Sequence, residues 1–273
     1  MSPSSLLRSG RYSTEWVRGF YAAAAEWWGP APHDEQEDLE RAAMVRRTLG
    51  EPPKRVLELG AGSGLAAAAT ADLGYDVMGV DLVDWGEHWT ALCQAPRTGS
   101  LELTAADFYE VRLDGRFDLV CYWDGFGIGC DDDQRRLLRR VARHWLAPAG
   151  RMLVDVANPA WAARNAGKEE HLAPLKGVPG SVEMVRRWYY DALHSQWIDE
   201  WMPTAQPEQA LQQTIRCYSP QDLQLLLEGT GLRLCGAEVD GQRLDVSDAA
   251  ITTGGPLLDA YSYLAELVPV HAE

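Results

Sequence analysis

The stretch at 56–64, Val-Leu-Glu-Leu-Gly-Ala-Gly-Ser-Gly, does most to limit what this chain can fold into. An apolar strand runs into glycines at alternate positions 60, 62 and 64, and the next apolar run closes on Asp81. Glycine enters left-handed backbone conformations without a steric penalty and leaves the main chain open to a ligand. The pattern predicts a strand, a tight turn and a helix around a nucleoside-cofactor crevice, with Gly60, Gly62 and Gly64 in the turn and Glu58 facing its mouth.

The two acids narrow the choice of ligand. The methionyl ammonium of S-adenosylmethionine calls for a nearby carboxylate, and its ribose diol calls for an acid at the end of the second strand. Glu58 and Asp81 supply both. A dinucleotide would bring a pyrophosphate and favour Gly-x-Gly-x-x-Gly before a bare helix N-terminus, whereas here the third glycine comes one residue early. The plainer alternative is a tight strand-to-helix turn with no ligand, and the acids at both ends weigh against it.

At 273 residues an α/β chain can bury its core as one domain, divided here into an N-terminal helical lid (1–50), a cofactor-binding core (51–158), a substrate-side insertion (159–218) and the rest of the core (219–273). Lys and Arg total 25 against 40 Asp and Glu, and a net charge of −15 repels a phosphate backbone, so no nucleic-acid partner is expected. The main basic cluster, Arg135, Arg136, Arg139, Arg140 and Arg143, follows acids on a predicted helix and reads as a solvated face. Five cysteines with no Cys-x-x-Cys pair argue against a disulfide framework and a structural zinc site. No apolar run approaches the roughly 18 residues that span a bilayer and no secretory leader is evident, so the expectation is a cytoplasmic monomer or homodimer with no membrane partner.

Two helices precede the first strand: one capped by Ser13 and stopped at Gly29 and Pro30, and one from Asp34 to before Gly50. Strand and helix then alternate: a strand at 56–59, a helix at 65–73, and strands at 75–80, 101–105 and 117–122. A helix from about Asp133 and a strand at 152–156 follow. After Val156 the pattern changes to alternation, with Val182, Met184, Trp188 and Tyr190 on one parity, a short strand around Trp197 to Trp201, and another from Leu211 to Tyr218. This predicts an antiparallel insertion. Ser219 and Pro220 then open a helix, and strands near 232–239 and 261–268 complete the sheet.

Together with Asp81, Ala106-Asp107-Phe108 and Leu146-Ala-Pro-Ala-Gly150, the 56–64 segment resembles the class I S-adenosylmethionine-dependent methyltransferases, most closely over residues 50 to 160. The resemblance implies a Rossmann-like, doubly wound α/β fold with a seven-stranded, mostly parallel sheet in the order 3-2-1-4-5-7-6, S-adenosylmethionine as cofactor and S-adenosylhomocysteine as product. It further implies that Glu58 and the backbone of Gly60, Ala61 and Gly62 hold the methionyl end, and that Asp81 takes the ribose. Leu82 packs on adenine, Asp107 accepts from its amino group beside Phe108, and Tyr122 and Trp123 line the end of the fourth strand. Gly86 and Pro96 interrupt the helix after Asp81, a departure from the family pattern that bears on the adenine contact.

Members acting on small molecules often carry lid helices and an antiparallel wall. Tyr12, Tyr21, Trp27 and Trp28 are then lid residues, and Trp188, Tyr190, Trp197 and Trp201 wall residues, of which Trp28, Trp188, Tyr190 and Trp197 are assigned to the acceptor and Tyr21 to the cofactor. Any one of these rings also suits a core position. Asp124, immediately past the fourth strand, is the first candidate to orient or deprotonate the acceptor, with capping of the loop from Gly125 to Gly129 as its alternative. His171 and Tyr12 are the second and third. Asp124, Asp155 and Asn158 would suit Mg²⁺ as oxygen ligands, but no metal is assigned. The function expected is methyl transfer to an N or O atom of a small molecule, plausibly a secondary metabolite. A non-catalytic S-adenosylmethionine-binding protein and a nicotinamide-dependent oxidoreductase are the alternatives.

Overall fold

The computed structural model describes residues 14–28, 35–175, 180–246 and 255–270. Ser13 and Tyr12 lie outside them, as does the side chain of Trp28. In chain order the elements begin with α1 (Thr14–Trp28), α2 (Glu35–Leu49), β1 (Arg55–Leu59), α3 (Leu65–Asp72), β2 (Asp76–Asp81), α4 (Glu87–Gln94) and β3 (Ser100–Ala105). There follow β4 (Phe117–Phe126), α5 (Asp131–Arg140), β5 (Leu146–Ala157), α6 (Pro159–Asn165), β6 (Glu169–Leu172), β7 (Met184–Asp191), β8 (Gln196–Pro203) and β9 (Leu211–Arg216). The chain closes with α7 (Pro220–Leu227), β10 (Leu232–Val239), β11 (Gln242–Leu244) and β12 (Ser262–Pro269).

The larger sheet runs β11-β10-β12-β5-β4-β1-β2-β3. Strands β1 to β5 are mutually parallel, while β12 runs antiparallel to both β5 and β10. This is the expected order 3-2-1-4-5-7-6, with the short hairpin strand β11 added at the edge. Parallel strands buried on both faces read as continuous apolar runs, and Leu57, Leu59, Leu119, Val120, Val154 and Val156 are all inaccessible to solvent.

Close packing explains the alanine run in α3. Ala66, Ala67, Ala68 and Ala71 are buried and only Asp72 is exposed, and the short side chains let this helix lie against the sheet between α2 and β2. At Gly79 of β2 a Cβ would stand 2.9 Å from the Ala61 Cβ and 2.6 Å from Leu103 Cδ2, so no larger residue fits there. Ser219 caps α7 as the sequence predicts, its hydroxyl accepting from the Asp222 N–H at 3.1 Å. The arginines of α5 depart from the predicted solvated face. Arg140 donates to the carbonyls of Phe108 (3.2 Å) and Val111 (2.6 Å), and Arg136 pairs with Glu110, so the helix clamps the turn that follows β3.

The insertion after β5 forms a separate antiparallel sheet, β6-β7-β8-β9. Two elements in it, α6 and β6, are absent from the sequence reading. The sheet is tied to the end of β4 by an Ile128–Ile215 bridge and by Arg216 N–H donating to Gly127 O at 2.8 Å. A Cβ on Gly127 would fall 2.3 Å from Arg216 O, and its φ of +105° already requires glycine. The small sheet therefore caps the carboxyl edge of the large one, where open α/β sheets bind ligands.

Candidate active site

A cleft of about 700 Å³ opens at that edge, between the β1, β2 and β4 termini, helices α1 and α2, and the inner face of the small sheet. Its volume suits a cofactor-sized ligand. Of the residues singled out in the sequence, Tyr21, Glu58, Gly60, Ala61, Gly62, Asp81, Leu82, Asp107, Phe108, Tyr122, Trp123 and Asp124 all line it.

The turn after β1 has Gly60 at φ +66°, Gly62 at +52° and Gly64 at +84°. The three glycines serve different ends. A Cβ on Gly60 would press on the Tyr122 ring at 3.1 Å, and one on Gly64 would stand 2.6 Å from Leu103 Cδ1, so both are demanded by internal packing. Gly64 lies behind the cleft wall as the N-cap of α3. Among the described residues no atom lies within 4 Å of the missing Cβ of Gly62, which opens on the cleft. Asp81 fixes the turn by accepting from Gly62 N–H through Oδ2 and from Val83 N–H through Oδ1, both at 2.8 Å. Burial raises its carboxyl above the usual range, and these N–H groups oppose the rise.

Glu58 is 3% exposed at the cleft floor. Burial pushes its carboxyl up to about 8, against the pull of the Arg41 guanidinium and with a further push from Asp38. Arg41, on α2, was not read from the sequence as a site residue. It pairs with Glu37 at 2.6 Å and with Asp124, and lies 5.7 Å from the Trp123 ring centroid. Asp124 has a left-handed φ of +54°, a strained position for a non-glycine residue, and is 56% exposed along its side chain. It does not cap the following loop, whose Gly127 N–H goes to Gln134 Oε1 at 3.3 Å. Asp155 beneath it is raised by burial and by the Asp124 charge.

The structure places four predicted residues elsewhere. His171 pairs with Val185 across the strands, on the parity opposite to the lining residue Leu172, and is 65% exposed beside Glu169. Trp188, Tyr190 and Trp197 face inward as their parity requires, but pack beyond the cleft against Trp161 and the α1 residue Val17. The wall is instead built from Arg186, Trp201 and Gln213, together with Leu172 and Leu175. Asn158 caps α6 through Oδ1, which accepts from Ala160 N–H at 3.0 Å, so that oxygen is turned from Asp124 and Asp155. Among the described residues no cluster of three or more His, Cys, Asp or Glu side chains gathers as a metal site, and no helix is long and apolar enough to cross a membrane.

The residues fit an adenosyl sulfonium ligand on three counts. Gly62 leaves open a space that a Cβ would fill, Trp85 Nε1 on the cleft wall is a buried donor without a partner among the described residues, and Glu58 is a buried acid suited to a cationic group.

Residues 33–235 match the family described as a methyltransferase domain. Nothing among curated protein sequences matches the chain. The fold is similar to that of the CcbJ methyltransferase from Streptomyces caelestis, at a TM-score of 0.67 and 21% identity over 93% of this chain and 96% of that one. It is also similar to a Burkholderia thailandensis 1,6-didemethyltoxoflavin-N1-methyltransferase solved with its substrate and S-adenosylhomocysteine, at 0.55 and 20% over 94% and 85% of the two chains. A sugar N-methyltransferase from Streptoalloteichus gives 0.58 and 17%, with 97% of each chain covered.

Proposed function

This chain belongs to the methyltransferase-domain family, the class I S-adenosylmethionine-dependent enzymes, and we propose that it methylates a nitrogen or oxygen atom of a small molecule, plausibly a secondary metabolite. One observation carries the acceptor reading: the cleft does not end at Glu58 and Asp81 but continues past Trp123 and Asp124 to Trp201 and Gln213. That extension is roofed by α1 and the small sheet, a chamber sized for a small molecule rather than a polymer. The similar structures that act on a toxoflavin precursor and on a sugar support the same acceptor class.

When bound, S-adenosylmethionine supplies an electrophilic methyl carbon on a sulfonium. The chain's own residues bind and orient. Glu58, in its ionised form, holds the methionyl ammonium, and Arg41, within electrostatic reach of Glu58, is placed to take the carboxylate of the same group. Asp81 and the Trp85 N–H meet the ribose, and Asp107 and Phe108 the adenine, in a turn held still by Arg136 and Arg140. Positioning of this kind provides most of the rate in a displacement that needs close, in-line approach and little water.

Asp124 handles the acceptor's proton. Its Oδ2 is engaged by Arg41, which leaves Oδ1 without a hydrogen bond among the described residues to accept from an acceptor N–H or O–H. The left-handed backbone at this residue fits a position kept for function. Incubation with methyl-labelled S-adenosylmethionine and a mixture of small amines, aminosugars, phenols, bulk RNA and bulk protein tests the assignment. Label in the small-molecule fraction is expected, and label confined to RNA or protein would refute it.

A further inference from the structure

The inner face of the small sheet carries an ion pair that the cofactor chemistry does not use. Asp199 on β8 is 0% exposed and receives four donors: Arg186 Nε at 2.8 Å, Arg186 Nη2 at 2.9 Å, Trp201 Nε1 at 2.7 Å and Gln213 Nε2 at 3.0 Å. Gln213 passes the tether on, its Oε1 accepting from the Tyr21 hydroxyl of α1 at 3.1 Å. One buried carboxylate thus orients Arg186, Trp201, Gln213 and, through the last, Tyr21, all four of which line the cleft.

Well-packed apolar residues often replace a buried ion pair without loss of stability, so stability alone does not call for buried charge here. A guanidinium has five N–H donors in a planar fork. Asp199 occupies the Nε/Nη2 edge of Arg186, and the Nη1/Nη2 edge makes no hydrogen bond among the described residues. The Trp188, Trp197 and Trp201 rings, with centroids at 5.3, 5.7 and 5.4 Å, hold the guanidinium so that it cannot swing away. The free edge matches a planar, bidentate oxyanion.

The other end of the chamber carries three carboxylates, Glu37, Asp38 and Asp124, around the guanidinium of Arg41. Tyr261 packs edge-on against Trp161 and Trp197, and burial pushes its phenol up, with a further push from Asp124 against the pull of Arg186. Arg186 and Asp124 line the same cleft, with Phe20, Ala24 and Leu172 supplying apolar wall.

We propose that the acceptor is a small amino acid-like zwitterion with an apolar or aromatic body, its carboxylate docked on the free Nη1/Nη2 edge of Arg186 and its amine turned to Asp124. The proposal rests on the methyltransferase reading and gives it a substrate class. It also assigns Arg186 as a specificity-determining residue.

The test uses protein saturated with S-adenosylhomocysteine and two zwitterionic probes, phenylalanine and 4-(aminomethyl)benzoate, each paired with its carboxamide, with binding followed by tryptophan fluorescence. Each acid is expected to bind about tenfold or more tighter than its amide, the gain from a charge-assisted fork. Because removing Arg186 alone strands a buried Asp199, the first variant combines Arg186→Met with Asp199→Asn, and the second is Arg186→Lys, which keeps the charge without the fork. The preference should vanish in the first and fall in the second. No saturable binding of either acid, equal binding of acid and amide, or an undiminished preference in the variants overturns the proposal. Uptake of S-adenosylhomocysteine, measured in the same samples, separates that outcome from failure of the cofactor assignment.

Discussion

Replacing Glu58 by glutamine should move stability and cofactor affinity in opposite directions. In the unfolded chain the Glu58 carboxyl loses its proton near 4.5, whereas in the folded protein it keeps it up to about 8. The folded state therefore binds more protons across that window, and the contribution of this group to stability falls as pH rises through it. At about 1.4 kcal/mol per pH unit of displacement, Glu58 removes roughly 2 kcal/mol of folding free energy between pH 6 and pH 8. Glutamine cannot ionise, so Glu58→Gln should flatten that part of the curve and leave the free protein more stable than wild type at pH 8 by roughly 2 to 4 kcal/mol. The same change removes the anion for the methionyl ammonium and should weaken S-adenosylhomocysteine binding by about 1.5 to 3 kcal/mol. Urea unfolding at pH 6, 7 and 8 reads the first effect. Calorimetry in two buffers of different ionisation enthalpy reads the second, and should also show wild type releasing close to one proton on binding near pH 6 to 7 and the variant releasing none. Parallel stability curves for the two proteins, or unchanged affinity, would refute the reasoning.

Arg41→Met removes the guanidinium that holds Glu58 down, so the Glu58-dependent fall in stability should extend to higher pH in urea titrations, and the ligand should bind more weakly. Asp81→Ala releases the Gly62 and Val83 N–H groups as well as the ribose acceptor, and calorimetry should show a loss of roughly 1 to 3 kcal/mol in S-adenosylhomocysteine binding. Gly60→Ala adds a Cβ 3.1 Å from the Tyr122 ring at a φ of +66°, and denaturant unfolding should show a loss of about 1 to 3 kcal/mol.

What was legible in the sequence was local. The strand, glycine turn and helix around Glu58 and Asp81 lie within about one βαβ unit, and Asp81 closes the turn 19 residues after Gly62 through backbone N–H groups that sequence order places there. The parity of β7 and β8 was legible too, because alternation fixes which side chains share a face. Parity does not say which end of a strand meets the cleft. Arg186, Trp201 and Gln213 face it, while Trp188 and Trp197 on the same inner face pack beyond it, and that division follows from where Ile128 bridges Ile215. His171 fell on the outer parity of a strand, β6, that its Glu-Glu-His-Leu composition did not announce. Arg41 carried no signal either. It sits on a charged amphipathic helix where a solvated arginine is the ordinary expectation, and its partner Asp124 lies 83 residues away. Asp199 was invisible for the same reason, since its donors Arg186 and Gln213 come from two other strands.

Titration of S-adenosylhomocysteine into the protein at pH 7.5, read by calorimetry alongside a matched titration of a nicotinamide dinucleotide, tests most directly whether Glu58, Asp81 and the open face of Gly62 form an adenosyl-thioether site. One site per chain with micromolar affinity for S-adenosylhomocysteine, and no heat from the dinucleotide, is the predicted result. Saturable binding of the dinucleotide with none of the thioether at millimolar concentration would contradict it.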